Sequence, residues 1–434
     1  MLKISIQHID NLQLFTLLIV LLLMGCKEEK DTRIPEITYI SPQHKQEFVV
    51  SDTISVHAII TDETMITSVK VNLTDENFIA VSAAKTFFPN LPSYEVETNL
   101  LTDDESLESG IYYVLIRAEN SENFKNKYQE ISIQGLPLDF EQLVIVTSGG
   151  LNTLGVTGTE DFEVATPLFS ITGDYAASEI SSSDKLLFIA GKNNPNVHAY
   201  NLTGNALSWF VEVTPGKPMH NDGCLYFDGL LYTTYNYDFI HGYTPAGQIG
   251  YHVSIEEFDA PGRIFKHGDF ILAEMQKKNT NNPYIVTYYA LTGNEKQRRF
   301  MDFDVIDFYS MDEQNIIIVT NRNGTGAIYM YDVNNDILTF RREIEETINV
   351  TVKTGNETII LAGNSAIYTY NMVTDNLFTI LNKGALTLAY EHLSGSLITG
   401  SFLKIDVYQY PEMVNQKTLL LSDTILDMHI QYSK

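Results

Sequence analysis

Asn315-Ile-Ile-Ile-Val-Thr-Asn-Arg-Asn-Gly-Thr-Gly-Ala-Ile-Tyr-Met-Tyr-Asp-Val-Asn-Asn-Asp336 holds two short elements, each followed by a turn. Ile316 to Val319 is apolar and β-branched, and Asn323-Gly324 follows as turn chemistry. Ile328-Tyr-Met-Tyr331 then runs into a second turn, Asp332 to Asp336. Elements this short, bounded by Asn and Gly, read as strands rather than helices. The first recurs as Leu143-Val-Ile-Val, Leu186-Leu-Phe-Ile, Leu230-Leu-Tyr, Phe270-Ile-Leu-Ala, Ile359-Ile-Leu-Ala and Leu397-Ile. Successive starts differ by 38 to 46 residues. The second lies roughly ten residues later and places Tyr at 200, 243, 289, 331, 370 and 410.

A period near 43, with room for four short strands, is the pattern of a β-propeller blade. Seven copies predict a seven-bladed β-propeller over 140-434. The first copy, at Leu143, has no innermost strand before it, and Ile425-Leu-Asp-Met-His-Ile-Gln-Tyr432 follows the seventh. Pairing that C-terminal strand with the first blade would remove two open edges.

Upstream, residues 35-135 alternate polar and apolar in short runs: Glu36 to Ile40, Thr53 to Ile60, Ile66 to Leu73, Phe78 to Ala84, Tyr94 to Leu100, Ile111 to Ala118 and Tyr128 to Ile133. Seven such strands predict a β-sandwich of immunoglobulin type. Gly110-Ile-Tyr-Tyr-Val-Leu-Ile-Arg-Ala-Glu-Asn120 resembles the penultimate strand of bacterial Ig-like modules, with Asn120 in place of the usual Asp. Ile37 followed by Ser41-Pro42 resembles their opening, and the resemblance implies no ligand. Gly135-Leu136-Pro137 marks the expected boundary. The fold class expected is all-β, an Ig-like β-sandwich followed by a seven-bladed β-propeller.

Residues 12 to 26, Leu-Gln-Leu-Phe-Thr-Leu-Leu-Ile-Val-Leu-Leu-Leu-Met-Gly-Cys, form an apolar run of secretory-signal length. Leu23-Met24-Gly25-Cys26 resembles the bacterial lipobox, which implies lipidation at Cys26 and a signal peptide over 1-25. Lys27-Glu28-Glu29 resembles the export signal of Bacteroidota surface lipoproteins. The expectation is an outer-membrane lipoprotein, held by its N-terminal lipid on a tether over 26-34 and facing the extracellular side.

The 434 residues are 44% apolar and 19% charged, a globular composition. The net charge is −27, and removing residues 1-25 takes away one Lys and one Asp and leaves it unchanged. That excess argues against a nucleic-acid partner. With Cys26 lipidated, Cys224 has no disulfide partner and reads as a small core residue.

Val197-His-Ala-Tyr-Asn-Leu-Thr-Gly-Asn-Ala-Leu-Ser-Trp209 and Thr287-Tyr-Tyr-Ala-Leu-Thr-Gly-Asn294 resemble the repeat of quinoprotein-like and WD40-like propellers. The resemblance implies architecture. The calcium site and stacking Trp of quinone-dependent members have no counterpart, and Trp209 falls on an outer strand. No cofactor is implied.

Common catalytic motifs are missing: no Gly-x-Ser-x-Gly, His-Glu-x-x-His, P-loop, dinucleotide fingerprint or Cys-x-x-Cys. No two of the ten histidines have metal-ligand spacing, and Asn334-Asn335-Asp336 reads as a hairpin turn rather than a calcium loop. No catalytic residue and no metal ligand is therefore assigned.

Blade geometry singles out one face, where loops leading into innermost strands and loops between second and third strands open together. The former carry Asp174-Tyr175, His220-Asn221-Asp222, Asp259, Arg263, Asp307, Tyr309 and Tyr390, and the latter carry Asn236 and Asn321-Arg322. Amides, tyrosines and cations in such a ring suit a polar ligand. Structural readings stand beside this: Asn suits left-handed turns, His220 a strand end, and Arg263 an ion pair in the channel. The expected function is a non-enzymatic binding module for a protein or a polysaccharide. The alternatives are a glycosidase or polysaccharide lyase, and a structural scaffold. Three carboxylates converging in a funnel would favour the enzyme, and a wide Tyr/Asn face would favour binding.

Overall fold

Period-2 alternation translates directly into strands with one buried face. Along Thr53–Ile66, Ile54, Val56, Ala58 and Ile60 are buried, while Thr53, Ser55 and Ile59 face out. The computed structural model describes residues 34–76, 78–102, 107–150, 152–192, 196–211, 223–235, 239–255, 259–277 and 283–434. The signal segment, Cys26 and Lys27-Glu28-Glu29 lie outside the described residues. Regular structure among the described residues is all strand, and no helix is long and apolar enough to cross a membrane. The chain divides into two compact units, Met1–Pro137 and Leu138–Lys434.

In the first unit, a three-stranded sheet holds Glu36–Ser41, Thr53–Ile66 and Leu91–Leu101 in that order. A five-stranded sheet runs Gln46–Val49, Phe124–Gln134, Gly110–Glu119, Ser68–Thr74, Lys85–Phe87. Their inner faces share one core, with Ile54, Ile60, Val96, Val114 and Ile131 fully buried or nearly so. Tyr39 crosses between the sheets, donating its hydroxyl to the Val114 carbonyl at 2.7 Å, and burial pushes its pKa up. The strand expected over Phe78 to Ala84 does not form. Phe78 takes a left-handed backbone (φ 64°) and lays its ring against Tyr113 and Tyr128. The pattern also missed Gln46–Val49, which pairs in parallel with Phe124–Gln134, and Lys85–Phe87.

Among the described residues, the second unit contains seven four-stranded antiparallel sheets. Each of the last six takes four consecutive strands, as in Asp304–Ser310, Asn315–Arg322, Thr325–Asp332 and Ile337–Ile344 of the fifth. The first takes Phe140–Ser148, Thr153–Thr159 and Thr166–Thr172 from its own stretch, and its innermost strand is Thr424–Tyr432. Innermost strands touch in succession from 424–432 through 177–181, 224–227, 259–267, 304–310, 348–353 and 387–391, and back to 424–432. The sheets thus close into a ring through packing. Core clusters span neighbouring sheets: Leu272 and Ile285 pack with Phe303 and Ile316, and Tyr309 and Ile317 with Ile359 and Tyr370.

In the fifth and sixth sheets the recurring Tyr has a structural task. Tyr331 and Tyr370 are buried and donate their hydroxyls to Asp336 and Asp375, both at 2.9 Å. Those aspartates sit at left-handed turn positions (φ 55° and 58°). The Asn334-Asn335-Asp336 segment is accordingly a hairpin turn, with the Asn334 and Asn335 amides donating to Asp332.

Candidate functional site

Innermost strands carry the chemistry of the axis, and β-bulges aim it. Register shifts fall between Pro261 and Ile264, Val305 and Asp307, Ile348 and Val350, and Ile425 and Asp427. An extra residue at such a point turns the following side chain away from strict alternation. Asp307 and Asp427 are thereby placed alike. Each accepts from the next backbone amide, Phe308 or Met428, at 2.9 Å. Asp307 also accepts from the hydroxyls of Tyr309 and Thr351, both at 2.9 Å, which links the fifth sheet to the sixth. Asp427 accepts from Tyr175 at 2.7 Å and Ser178 at 3.1 Å, which links the first to the second.

Glu179, on Ala177–Ser181, is the third carboxyl. Burial pushes its pKa up to about 8, the negative charges of Asp427 and Asp307 add to the rise, and Arg263 opposes it. The Glu179 side chain is half-buried. Cys224 belongs to the same neighbourhood: burial, then Glu179 and Asp427, raise its thiol. Burial and the adjoining aspartates likewise push up the Tyr175 and Tyr309 hydroxyls. Five sheets thus send Asp427, Glu179, Cys224, Arg263 and Asp307 into one electrostatic neighbourhood.

Close packing fixes the Arg263 segment. A Cβ on Gly262 would come within 2.7 Å of Glu274 Oε2, and one on Gly223 within 2.5 Å of the Gly262 carbonyl. Glu274 is buried, and burial raises its pKa. It accepts from the Val305 amide at 3.1 Å, tying the fourth sheet to the fifth.

Ser178 Oγ lies 2.7 Å from His429 Nε2, but Asp427 approaches that same nitrogen at 3.5 Å. A nucleophilic triad needs its acid on the other ring nitrogen, so these three are a hydrogen-bonded strand contact.

The residues singled out from sequence separate into three groups. Arg263 and Asp307 join the axial cluster, but as members of innermost strands rather than of loops. Tyr309 is buried, with its hydroxyl taken by Asp307 and Thr351. Asn321 and Arg322 end the second strand of the fifth sheet. Asn321 clamps the sixth sheet, accepting from the Ile348 amide at 2.8 Å and donating to its carbonyl at 2.7 Å. Arg322 is exposed and pairs with Asp302. His220, Asn221, Asp222 and Asn236 lie outside the described residues, as does the side chain of Asp259. Sequence reasoning missed Glu179, Asp427 and His429. A signal for the last two was present: Val305-Ile-Asp-Phe-Tyr309 and Ile425-Leu-Asp-Met-His429 share one pattern, 120 residues apart.

No protein-family model matches the sequence, and no curated protein matches it. Among solved structures, a functionally unknown protein from Desulfotomaculum acetoxidans DSM 771 is similar at 12% identity and TM-score 0.49, over 67% of this chain and 99% of that one. The computationally designed Ika8 protein is similar at 9% identity and TM-score 0.45, over 67% and 90%. The β-propeller domain of Cps50 (Swd1) from Myceliophteria thermophila is similar at 10% identity and TM-score 0.45, over 58% and 88%.

Proposed function

We propose that the second unit is a seven-bladed β-propeller and the first an Ig-like β-sandwich. On this reading the chain is a surface-exposed outer-membrane lipoprotein, lipidated at Cys26, whose propeller binds a polysaccharide or protein at its axis. The observation that carries the binding reading is the exposed Arg263 guanidinium within electrostatic reach of Glu179, whereas the three carboxyls gathered there, Glu179, Asp307 and Asp427, are the feature expected of an enzyme and support the second reading below. Carboxyls beside one guanidinium offer acceptors and donors together, which suits the hydroxyls of a glycan or a polar peptide segment. A second reading has its own support. Glu179 holds its proton up to about pH 8 beside two aspartates, and a proton-bearing acid facing a carboxylate base is the apparatus of a glycosidase or lyase.

Immobilised polysaccharides and outer-membrane extracts should retain the purified chain, and Arg263→Ala with Glu179→Gln should weaken retention at least tenfold without lowering the melting temperature. Retention unchanged in that variant removes the axis as the site. Release of shortened oligosaccharides, lost in Glu179→Gln, selects the enzyme. Protease shaving of intact cells tests location: Cys26→Ser should mislocalise the protein, and alanines at Lys27, Glu28 and Glu29 should cost surface exposure alone.

A further inference from the structure

We propose that the outer face of the three-stranded sheet in the first unit binds a late first-row divalent metal ion, such as Zn²⁺, through His57, Glu95 and Glu97. Antiparallel pairing sets His57 directly opposite Glu97 and Ile59 opposite Glu95, so all three ligands project from one exposed face. His57 Nε2 lies 2.5 Å from Glu95 Oε1 and 3.8 Å from Glu97 Oε1, and one ligand atom from each residue lies within 4.8 Å of the others. Ligand atoms around a tetrahedral zinc ion stand about 3.3 Å apart, given metal–ligand lengths near 2.0–2.1 Å. The observed separations bracket that value, and rotation of two exposed glutamates closes the difference.

Charge points the same way. The three strands of this sheet contain no Lys or Arg, and among the described residues the ion pairs of Glu95 and Glu97 are with His57. Two carboxylates therefore face an imidazole, and Lys85, reaching in from the other sheet, spends its ammonium on the Asn99 carbonyl of the same strand. Oxygen-only sites suit Ca²⁺ and Mg²⁺, and the imidazole nitrogen moves the preference to Zn²⁺, Ni²⁺ or Cu²⁺. Three protein ligands leave one position open to water or to a donor from outside, the arrangement of an exchangeable ion. This site is separate from the axial cluster and stands whether or not that cluster binds a ligand.

Isothermal titration of ZnCl₂ into the full purified chain at pH 7.5 tests it. One ion should bind per chain, and His57→Ala and Glu97→Gln should each weaken binding at least tenfold. A His241→Ala/His252→Ala variant should bind as wild type, although those imidazoles lie 2.9 Å apart in the second unit. Glu97 is 75% exposed, so its substitution should leave the melting temperature unchanged and carries the test if His57→Ala misfolds. Wild-type affinity in both first-unit variants, or loss of binding in the second-unit variant alone, overturns the assignment.

Discussion

Replacing Glu179 with Gln should stabilise the second unit, and only at neutral and alkaline pH. The reasoning is one of linkage. A carboxyl moved from 4.5 to about 8 favours its protonated form by about 4–5 kcal/mol over what it would show in water. Below about pH 4.5 the side chain is neutral in folded and unfolded chains alike and costs nothing. Between about 4.5 and 8 the folded chain holds a proton that the unfolded chain has released, so stability falls as pH rises. Above about 8 the full penalty is present. Partial contact with solvent reduces it to about 2–4 kcal/mol. Gln keeps the shape and removes the charge. At about 2 °C per kcal/mol for a unit of this size, the variant should melt about 4–8 °C above wild type at pH 9 and within a degree of it at pH 5. Melting curves followed by circular dichroism at half-unit pH steps give the comparison directly. Parallel wild-type and variant profiles from pH 5 to 9 would refute the placement of Glu179 among Asp307 and Asp427.

Deleting Thr424–Tyr432 strips the inner edge of Phe140–Ser148 and removes Ile425 and Met428 from the core. At about 2–5 kcal/mol for each large buried side chain lost, this rivals a whole domain's stability. The deletion should abolish the cooperative melting transition of the second unit, and a soluble chain melting as wild type would count against ring closure. Asn321→Ala removes both hydrogen bonds to Ile348 and should cost about 1–3 kcal/mol, whereas Arg322→Ala, losing an exposed pair, should stay within about 0.5 kcal/mol. Denaturant titration separates them, and equal effects would contradict the clamp.

The ring was legible because each sheet must solve the same packing problem within about 43 residues. Ile316 to Val319 is buried on both faces between sheets, so it must be apolar throughout. Tyr331 and Tyr370 must reach the turns at Asp336 and Asp375, so in those two sheets the aromatic recurs in register. Ile425 to Tyr432 stood out because it was one strand too many for the seventh repeat, and geometry gave it one place to go. In the first unit, Phe78 to Ala84 misled because its apolar residues share no strand face: Phe78 joins an exposed ring cluster, Ile79 is exposed and Val81 packs against the core. Gln46–Val49 was invisible because four residues carry too little alternation to register.

The axial residues were not legible for a related reason. The repeat does not constrain this position of the innermost strand: Ser178, Ile264, Asp307, Val350 and Asp427 occupy equivalent places opposite the second strand. Their meeting depends on closure of the whole ring, with Glu179 and Asp427 almost 250 residues apart in sequence. The same holds for His57 and Glu97, brought together by strand register rather than by spacing. In and beside the axial cluster, hydrogen bonds then divide the roles. Asp307 is held by the Tyr309 hydroxyl of its own strand and the Thr351 hydroxyl of the next sheet, Asp427 by the hydroxyls of Tyr175 and Ser178, and Asn321 and Glu274 by backbone groups of the adjoining sheet. Those four fasten sheet to sheet, and changing them should be felt first in stability. Glu179 and Arg263 do less of that fastening. Glu179 is disfavoured as an anion by its surroundings, and Arg263 is exposed at a bulge where glycine allows close approach. A carboxyl that costs stability without joining sheets, and the exposed cation beside it, are where a ligand's contribution should be sought, so these two side chains are the ones whose substitution should separate function from folding.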